Sequence, residues 1–276
     1  MKGGCDCHVH VFGPPDQYAF SRDRKYTPLT ASAEELQAHL RSLDLERVVI
    51  VQPSVYGTDN ACTLDALSRL GARARGVAVI DKSISDENLK TMHKAGIRGV
   101  RANLQTSGVH DPAAARREIE QAAARVAPLG WHVQVFTNIG VIAALKEAIL
   151  ELQTPLVVDH FGLPQHGDGF DVLVSLVRAG RVYVKLSGAH RFFRDPDADA
   201  PAYARALIEA DPGRVVWGSD WPHPPSAGAA RSEPLRPAPF ERVDDARAIE
   251  RLRSWAPDEG LFRKILVENP ARLYDF

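Results

Sequence analysis

The amino-acid sequence predicts an α/β fold in a single domain, residues 1–276, closed as a (β/α)8 barrel of the TIM type. Three observations predict it: eight short β-branched runs recur along the chain, amphipathic stretches separate them, and most of the runs are continuously apolar. Parallel strands buried on both faces read in this way, and strand-then-helix repeated eight times favours a closed barrel over an open sheet. A doubly wound dinucleotide-binding layout is the competing arrangement, but no Gly-x-Gly-x-x-Gly turn follows any early strand.

The strand candidates, in order, are Cys5–Val11, Arg47–Val51, Arg75–Ile80, Gly99–Asn103, His132–Phe136, Leu156–His160, Val182–Ser187 and Arg214–Ser219. The first helix opens at Ser32, with Glu35 three residues on, the pattern of a capping box. Ala113–Val126 is rich in strong helix formers, and Val141–Leu152 and Phe170–Arg178 carry apolar residues at helical spacing. Two connections are long: Phe12–Thr30 after the first strand, and Trp221–Val243 after the last, rich in Pro, Ala and Arg. On a barrel both reach the C-terminal face, so they are expected to wall an active site there.

Composition narrows the function. With 45% hydrophobic residues, 25% charged residues and a formal net charge of −1, the chain is an ordinary globular one without the basic surface that nucleic acid or anionic membrane would require. No stretch approaches the roughly 20 apolar residues needed to cross a bilayer, and the opening MKGGCDCHVHVFG lacks the apolar run of a secretory leader. Of the three cysteines, Cys5 and Cys7 stand too close for an easy structural bridge, which suits a reduced, cytoplasmic setting. A monomer and a homo-oligomer are equally compatible with these features.

Chemistry gathers at three places. In Asp6-Cys-His-Val-His10, strict strand alternation puts Asp6, His8 and His10 on one face. The same alternation sends Cys5, Cys7 and Val9 outward beneath the helices as small hydrophobes, so Cys-x-Cys-His is not expected to bind metal. Asp159-His160 closes the sixth run, where polar residues read as catalytic; His160 is taken as functional and Asp159 as a capping or turn residue. Asp220 ends the last run, and a carboxylate buried there needs a partner, from His8, His10 and His160 or from a metal. His223 reads as a loop residue. Arg98 and Arg101 are three apart on one strand and face opposite sides, with Arg101 inward as a carboxylate fork and Arg98 structural. Arg191 sits just past another strand end.

These residues, in this order, resemble the amidohydrolase 2 family of the amidohydrolase superfamily over essentially the whole chain. Cys7-His-Val-His-Val-Phe-Gly-Pro14, Arg24-Lys-Tyr-Thr-Pro28, Val51-Gln-Pro-Ser54, Gly57-Thr-Asp-Asn60 and Arg98-Gly-Val-Arg101 resemble its branch of pyrone-dicarboxylate and sugar-lactone lactonases. The resemblance implies hydrolysis of a carboxylated lactone, with Asp220 acting on water and His8, His10 and His160 polarising the carbonyl. It implies that Tyr26, Ser54, Arg101 and Arg191 hold the substrate. The four residues His8, His10, His160 and Asp220 hold a divalent metal, Zn²⁺ for example, in other branches; here a metal is optional rather than obligatory. Two departures stand out: Asn103-Leu-Gln-Thr-Ser107 carries no second arginine, and Phe136 replaces a tyrosine. They point away from a planar dicarboxylate, toward a monocarboxylated or sugar-derived lactone.

Two other readings compete. Metal-dependent non-oxidative decarboxylation of an aromatic or muconate-type acid would use the same four residues. A non-catalytic barrel sensing a carboxylated ligand would have no use for a general base.

Overall fold

The computed structural model describes residues 1–164, 168–225 and 233–276, so the tip of the expected 221–243 loop, residues 226–232, lies outside the described residues. All eight expected runs form strands. They are β1 (Cys5–Val9), β3 (Arg47–Val51), β4 (Ala74–Ala78), β5 (Ile97–Ala102), β6 (His132–Val135), β7 (Leu156–Val158), β8 (Val182–Leu186) and β9 (Val215–Trp217), numbered with two short strands, β2 (Thr27–Pro28) and β10 (Pro237–Ala238). The eight pair in parallel in chain order. A bridge between Val9 and Trp221 brings the last strand back to the first. Two bonds make that seam: Asp220 N–H donates to His8 O at 2.9 Å, and His10 N–H to Trp221 O at 2.8 Å. The architecture is the expected (β/α)8 barrel, and its closing seam is built from candidate site residues.

Side chains on facing positions of parallel strands point the same way. Arg101 faces Gln134 across β5 and β6, and Lys185 faces Val216 across β8 and β9. That interior face continues through Cys5, Cys7, Val49, Val51 and Val77, which form one buried cluster with Tyr274 of the C-terminal helix Asn269–Tyr274. The outer face, including Val9, Val48, Ile50, Val100 and Val133, packs beneath the helices. Arg98 lies outside the barrel's contents and bonds Asp275 at 3.2 Å, the structural part expected of it.

This arrangement corrects the reading of β1. Cys5 and Cys7 point into the barrel, and Asp6 points out, its Oδ2 3.8 Å from His39 Nε2 on the first helix. The cause is a register shift between Asp6 and Val9. An extra residue on one strand resets the alternation beyond it, so Cys7 and His8 both turn inward before Val9 resumes the outer face. Room for His8 is made by Gly218, where a Cβ would lie 2.6 Å from the His8 Cβ.

The helices follow their local signals. Ser32 and Glu35 form both bonds of the capping box at the start of Ala33–Ser42, and Asp111 caps Pro112–Val126. Phe170–Arg178 is as expected. The stretch expected as one helix over Val141–Leu152 is two, Ile139–Ala144 and Lys146–Glu151, because Leu145 leaves helical geometry (φ −98°, ψ 10°). Each half still buries an isoleucine, Ile142 and Ile149.

One core residue makes the fold sensitive to acid. His132 is buried on β6 edge-on to Tyr274, with ring centroids 5.3 Å apart. Burial first, and the Lys185 ammonium second, pull its pKa down to about 3. An unfolded histidine titrates near 6.5, so between about pH 6.5 and 3 the unfolded chain binds a proton that the folded chain refuses. Stability therefore falls as pH drops through that window. The melting temperature should decline from pH 7 to about pH 4.5, with a shallower decline in His132→Leu; an equal slope in the variant would remove His132 from the account.

Candidate active site

At the C-terminal mouth of the barrel three strand ends meet. His8 and His10 come from β1, His160 from the turn after β7, and Asp220 from the turn after β9. Both turns are backbone-strained: His160 has φ 51° and Asp220 φ 70°. Non-glycine residues adopt this region at a cost of about 1–3 kcal/mol, and such residues cluster at functional sites. The strain serves aim here, since both side chains turn back over the barrel mouth.

Three imidazoles converge on one carboxylate oxygen. Asp220 Oδ1 lies 3.6 Å from His8 Nε2, 3.5 Å from His10 Nε2 and 4.0 Å from His160 Nε2. Its other oxygen, Oδ2, accepts a hydrogen bond from Arg191 Nη1 at 2.7 Å. Asp220 is fully buried, and Oδ1 and His8 Nε2 have no hydrogen-bond partner among the described residues. Burial alone would raise this carboxyl's pKa, but the Arg191 guanidinium holds it well below the ordinary carboxylate range. It is therefore an anion at neutral pH, as a general base must be. Burial pulls His160 down to about 4 against the attraction of Asp220, and burial together with Lys185 pulls His8 well below its usual value. Both are neutral imidazoles.

The donor set suits a cation. His8, His10 and Asp220 each offer an atom within 4.8 Å of the others, and so do His8, Asp159 and His160. Neutral imidazole nitrogens and an unpartnered buried carboxylate oxygen are divalent-metal donors, so the residues present fit such an ion.

Beneath this cluster lies a second layer that sequence reasoning missed. Asp159 was expected to cap a turn; instead its carboxylate is buried in the barrel as the hub of an ion network. Oδ2 accepts from Arg101 Nε (3.2 Å) and Nη2 (3.1 Å) and from Gln134 Nε2 (3.0 Å). Oδ1 lies 3.2 Å from His8 Nδ1 and 3.7 Å from Lys185 Nζ. Burial would raise the Asp159 pKa; the Arg101 guanidinium and the Lys185 ammonium override it and hold the carboxyl well below its ordinary value. Lys185 is itself fully buried, and burial lowers its ammonium to about 8. The signal was present in the sequence: Val182-Tyr-Val-Lys-Leu186 and His132-Val-Gln-Val135 each place a polar residue inside an apolar strand, and a buried charge needs a partner.

Above the cluster opens a cavity of about 280 Å³. Every residue expected to hold substrate lines it: Tyr26, Ser54, Arg101 and Arg191, together with His10, His160 and Asp220. Lys25 adds a third cation that the sequence reading did not single out, and Phe136 and Phe192 supply apolar walls. Burial raises the Tyr26 phenol's pKa, so it stays a neutral donor. Asn103, Gln105 and Thr106 line the region where no second arginine stands. Both long loops contribute, the first through Lys25 and Tyr26, the second through Pro224 and Pro225. They are tied together where β2 pairs with β10 and where Thr27 Oγ1 donates to Pro234 O at 2.8 Å. His223 is turned aside, its Nε2 2.9 Å from Asp245 Oδ2.

Comparison with known proteins agrees with this geometry. The sequence pattern described as amidohydrolase matches residues 5–276. A 2-pyrone-4,6-dicarboxylate hydrolase of Comamonas testosteroni is 35% identical, over 99% of this chain and 90% of its own. A 4-sulfomuconolactone hydrolase of Hydrogenophaga intermedia is also 35% identical, over 99% of this chain and 88% of its own. Among solved structures, a probable 2-pyrone-4,6-dicarboxylic acid hydrolase of Acinetobacter baumannii with bound citric acid superposes with a TM-score of 0.82. It is 25% identical and covers 99% of this chain and 100% of its own. No helix among the described residues is long and apolar enough to cross a membrane.

Proposed function

We propose that this chain, which belongs to the amidohydrolase family, is a lactonase that hydrolyses a small anionic cyclic ester. The observation that carries the reading is the convergence of three imidazoles on the unpartnered oxygen of Asp220 at the floor of a cavity holding Lys25, Arg101 and Arg191. Two of its relatives are named as hydrolases of lactones.

The residues divide the work as follows. Arg191 fixes one oxygen of Asp220, leaving Oδ1 to accept a proton from water as the water attacks the lactone carbonyl. The imidazoles surround the oxygen on which negative charge develops, and an N–H among them aimed at that point in a dry site contributes several kcal/mol to the transition state. Asp220 can return its proton to the leaving alkoxide as the ring opens. Tyr26, Ser54 and the cations hold the substrate's carboxylate, and Phe136 and Phe192 exclude water. A divalent ion, Zn²⁺ included, would be held by His8, His10, His160 and Asp220 and would supply Lewis-acid polarisation of the carbonyl.

A panel of carboxylated lactones, with one and with two anionic groups, tests the reading when ring opening is followed by titration of released acid. Turnover of at least one member is expected. Inertness toward all of them, combined with CO₂ release from an aromatic or muconate-type acid that stops on chelation, would replace it with decarboxylation.

A further inference from the structure

Two of the site histidines are fixed by partners that differ in kind. His10 Nδ1 lies 2.8 Å from Val51 O, and a carbonyl only accepts, so a proton sits on His10 Nδ1, and a ring carrying that single proton presents the Nε2 lone pair to the cavity. His8 is held otherwise. Its Nδ1 is 3.3 Å from Lys185 Nζ in hydrogen-bonding geometry, and an ammonium only donates. Lys185 is fully anchored: Nζ also donates to Cys7 O at 2.9 Å and to Gln134 Oε1 at 2.7 Å. The Cys7 carbonyl lies in the stretch of β1 where the ladder register shifts. Asp159 Oδ1 is 3.2 Å from His8 Nδ1, yet it makes no hydrogen bond among the described residues.

We infer that Lys185 is a positioning residue that sets the tautomer of His8, keeping its proton on Nε2, so that the two histidines of one strand present opposite chemistry to the cavity. His8 offers an N–H and His10 a lone pair, both within 3.6 Å of Asp220 Oδ1. The three ammonium protons of Lys185 go to Cys7 O, Gln134 Oε1 and His8 Nδ1, which uses them all. With Nδ1 accepting, the one proton of the neutral His8 ring must be on Nε2, the atom that faces the developing charge of a substrate carbonyl. A cation bound through His8 Nε2 would first have to displace that proton. His160 carries no such assignment, because its Nδ1 partner at 2.8 Å is the Ser187 hydroxyl, which donates or accepts equally. The role given to the His8 N–H rests on the lactonase reading; the tautomers do not.

Histidine-selective ¹⁵N labelling of the full chain, dialysed against a chelator, reads both tautomers from ring nitrogen shifts at neutral pH, with His8→Asn and His10→Asn spectra for assignment. The expected result is an Nε2-protonated His8 beside an Nδ1-protonated His10. In Lys185→Met, His8 should switch to the Nδ1-protonated form, donating to Asp159, while His10 is unchanged. On an accepted lactone the same variant should lose about 10–100-fold in kcat with little change in KM, the scale typical of groups that orient a site residue. Should Lys185→Met fail to fold, Asp159→Asn decides: His8 stays Nε2-protonated there if Lys185 governs it. An Nδ1-protonated His8 in the unmodified protein, or no switch in Lys185→Met, would overturn the inference. Because the shifts need no substrate, failure of the lactonase reading would leave this result standing, and the reverse.

Discussion

Asp220→Asn should lower kcat on an accepted lactone by about 10²–10⁴-fold, the contribution typical of a positioned general base. The asparagine keeps the shape of the side chain and an oxygen for Arg191, which bonds Oδ2 at 2.7 Å. What it removes is the ability of the other atom to take a proton. Oδ1 is where that ability is concentrated, since no hydrogen bond from the described residues occupies it while three imidazoles stand 3.5–4.0 Å away. The folded state should survive, because Arg191 keeps an oxygen to bond and its side chain, 15% exposed, also reaches water. Circular dichroism and melting temperature near those of the unmodified chain, beside the kinetic loss, are the expected pair of results. A kcat within tenfold of the original would remove Asp220 from the role of base.

The largest effect on stability should come from Asp159→Ala. Removing one member of a buried ion network leaves its partners charged and unpaired, at a cost of about 3–5 kcal/mol. Here the abandoned partners are Arg101, 8% exposed, and Lys185, fully buried. Lys185 has no exposed surface, whereas Arg101 borders the substrate cavity. Chemical denaturation should show the midpoint shifted far to lower denaturant, and Asp159→Asn, which keeps an oxygen for Arg101, should lie between. A shift equivalent to less than about 1 kcal/mol, the scale of an exposed pair, would mean that the network contributes nothing net.

Strands are legible in this sequence because runs such as Val48–Val51 and Leu156–Val158 are apolar on both faces, and the expected ends overrun the ladders for a physical reason. Asp159, His160, Ser219 and Asp220 lie past the ends of β7 and β9, where the chain turns to present chemistry. Every residue singled out as catalytic or substrate-holding reaches one cavity or its floor. The floor itself was misread. A period-two argument cannot see a register shift, so Cys5 and Cys7 were turned outward and Asp6 inward. Asp159 was taken for a turn residue because its neighbours in sequence give no hint of Arg101, Gln134 and Lys185, which arrive from three other strands. Lys25 was passed over because a lysine on an irregular loop carries no pattern at all.

The shifted register of β1 also decouples spacing from direction. On a regular strand a histidine and the second residue after it share a side, and a single deletion would send everything beyond it to the opposite side. Here Cys7 and His8 are adjacent and both look inward, so the direction of Cys7 cannot be read from that of the histidines. Transplanted onto an unbroken strand, the pentapeptide Asp6–His10 would aim its cysteine at one side of the wall and its two imidazoles at the other. The fault in the ladder thus sets which way Cys7 looks, while the alternation beyond it aims His8 and His10 to the same side.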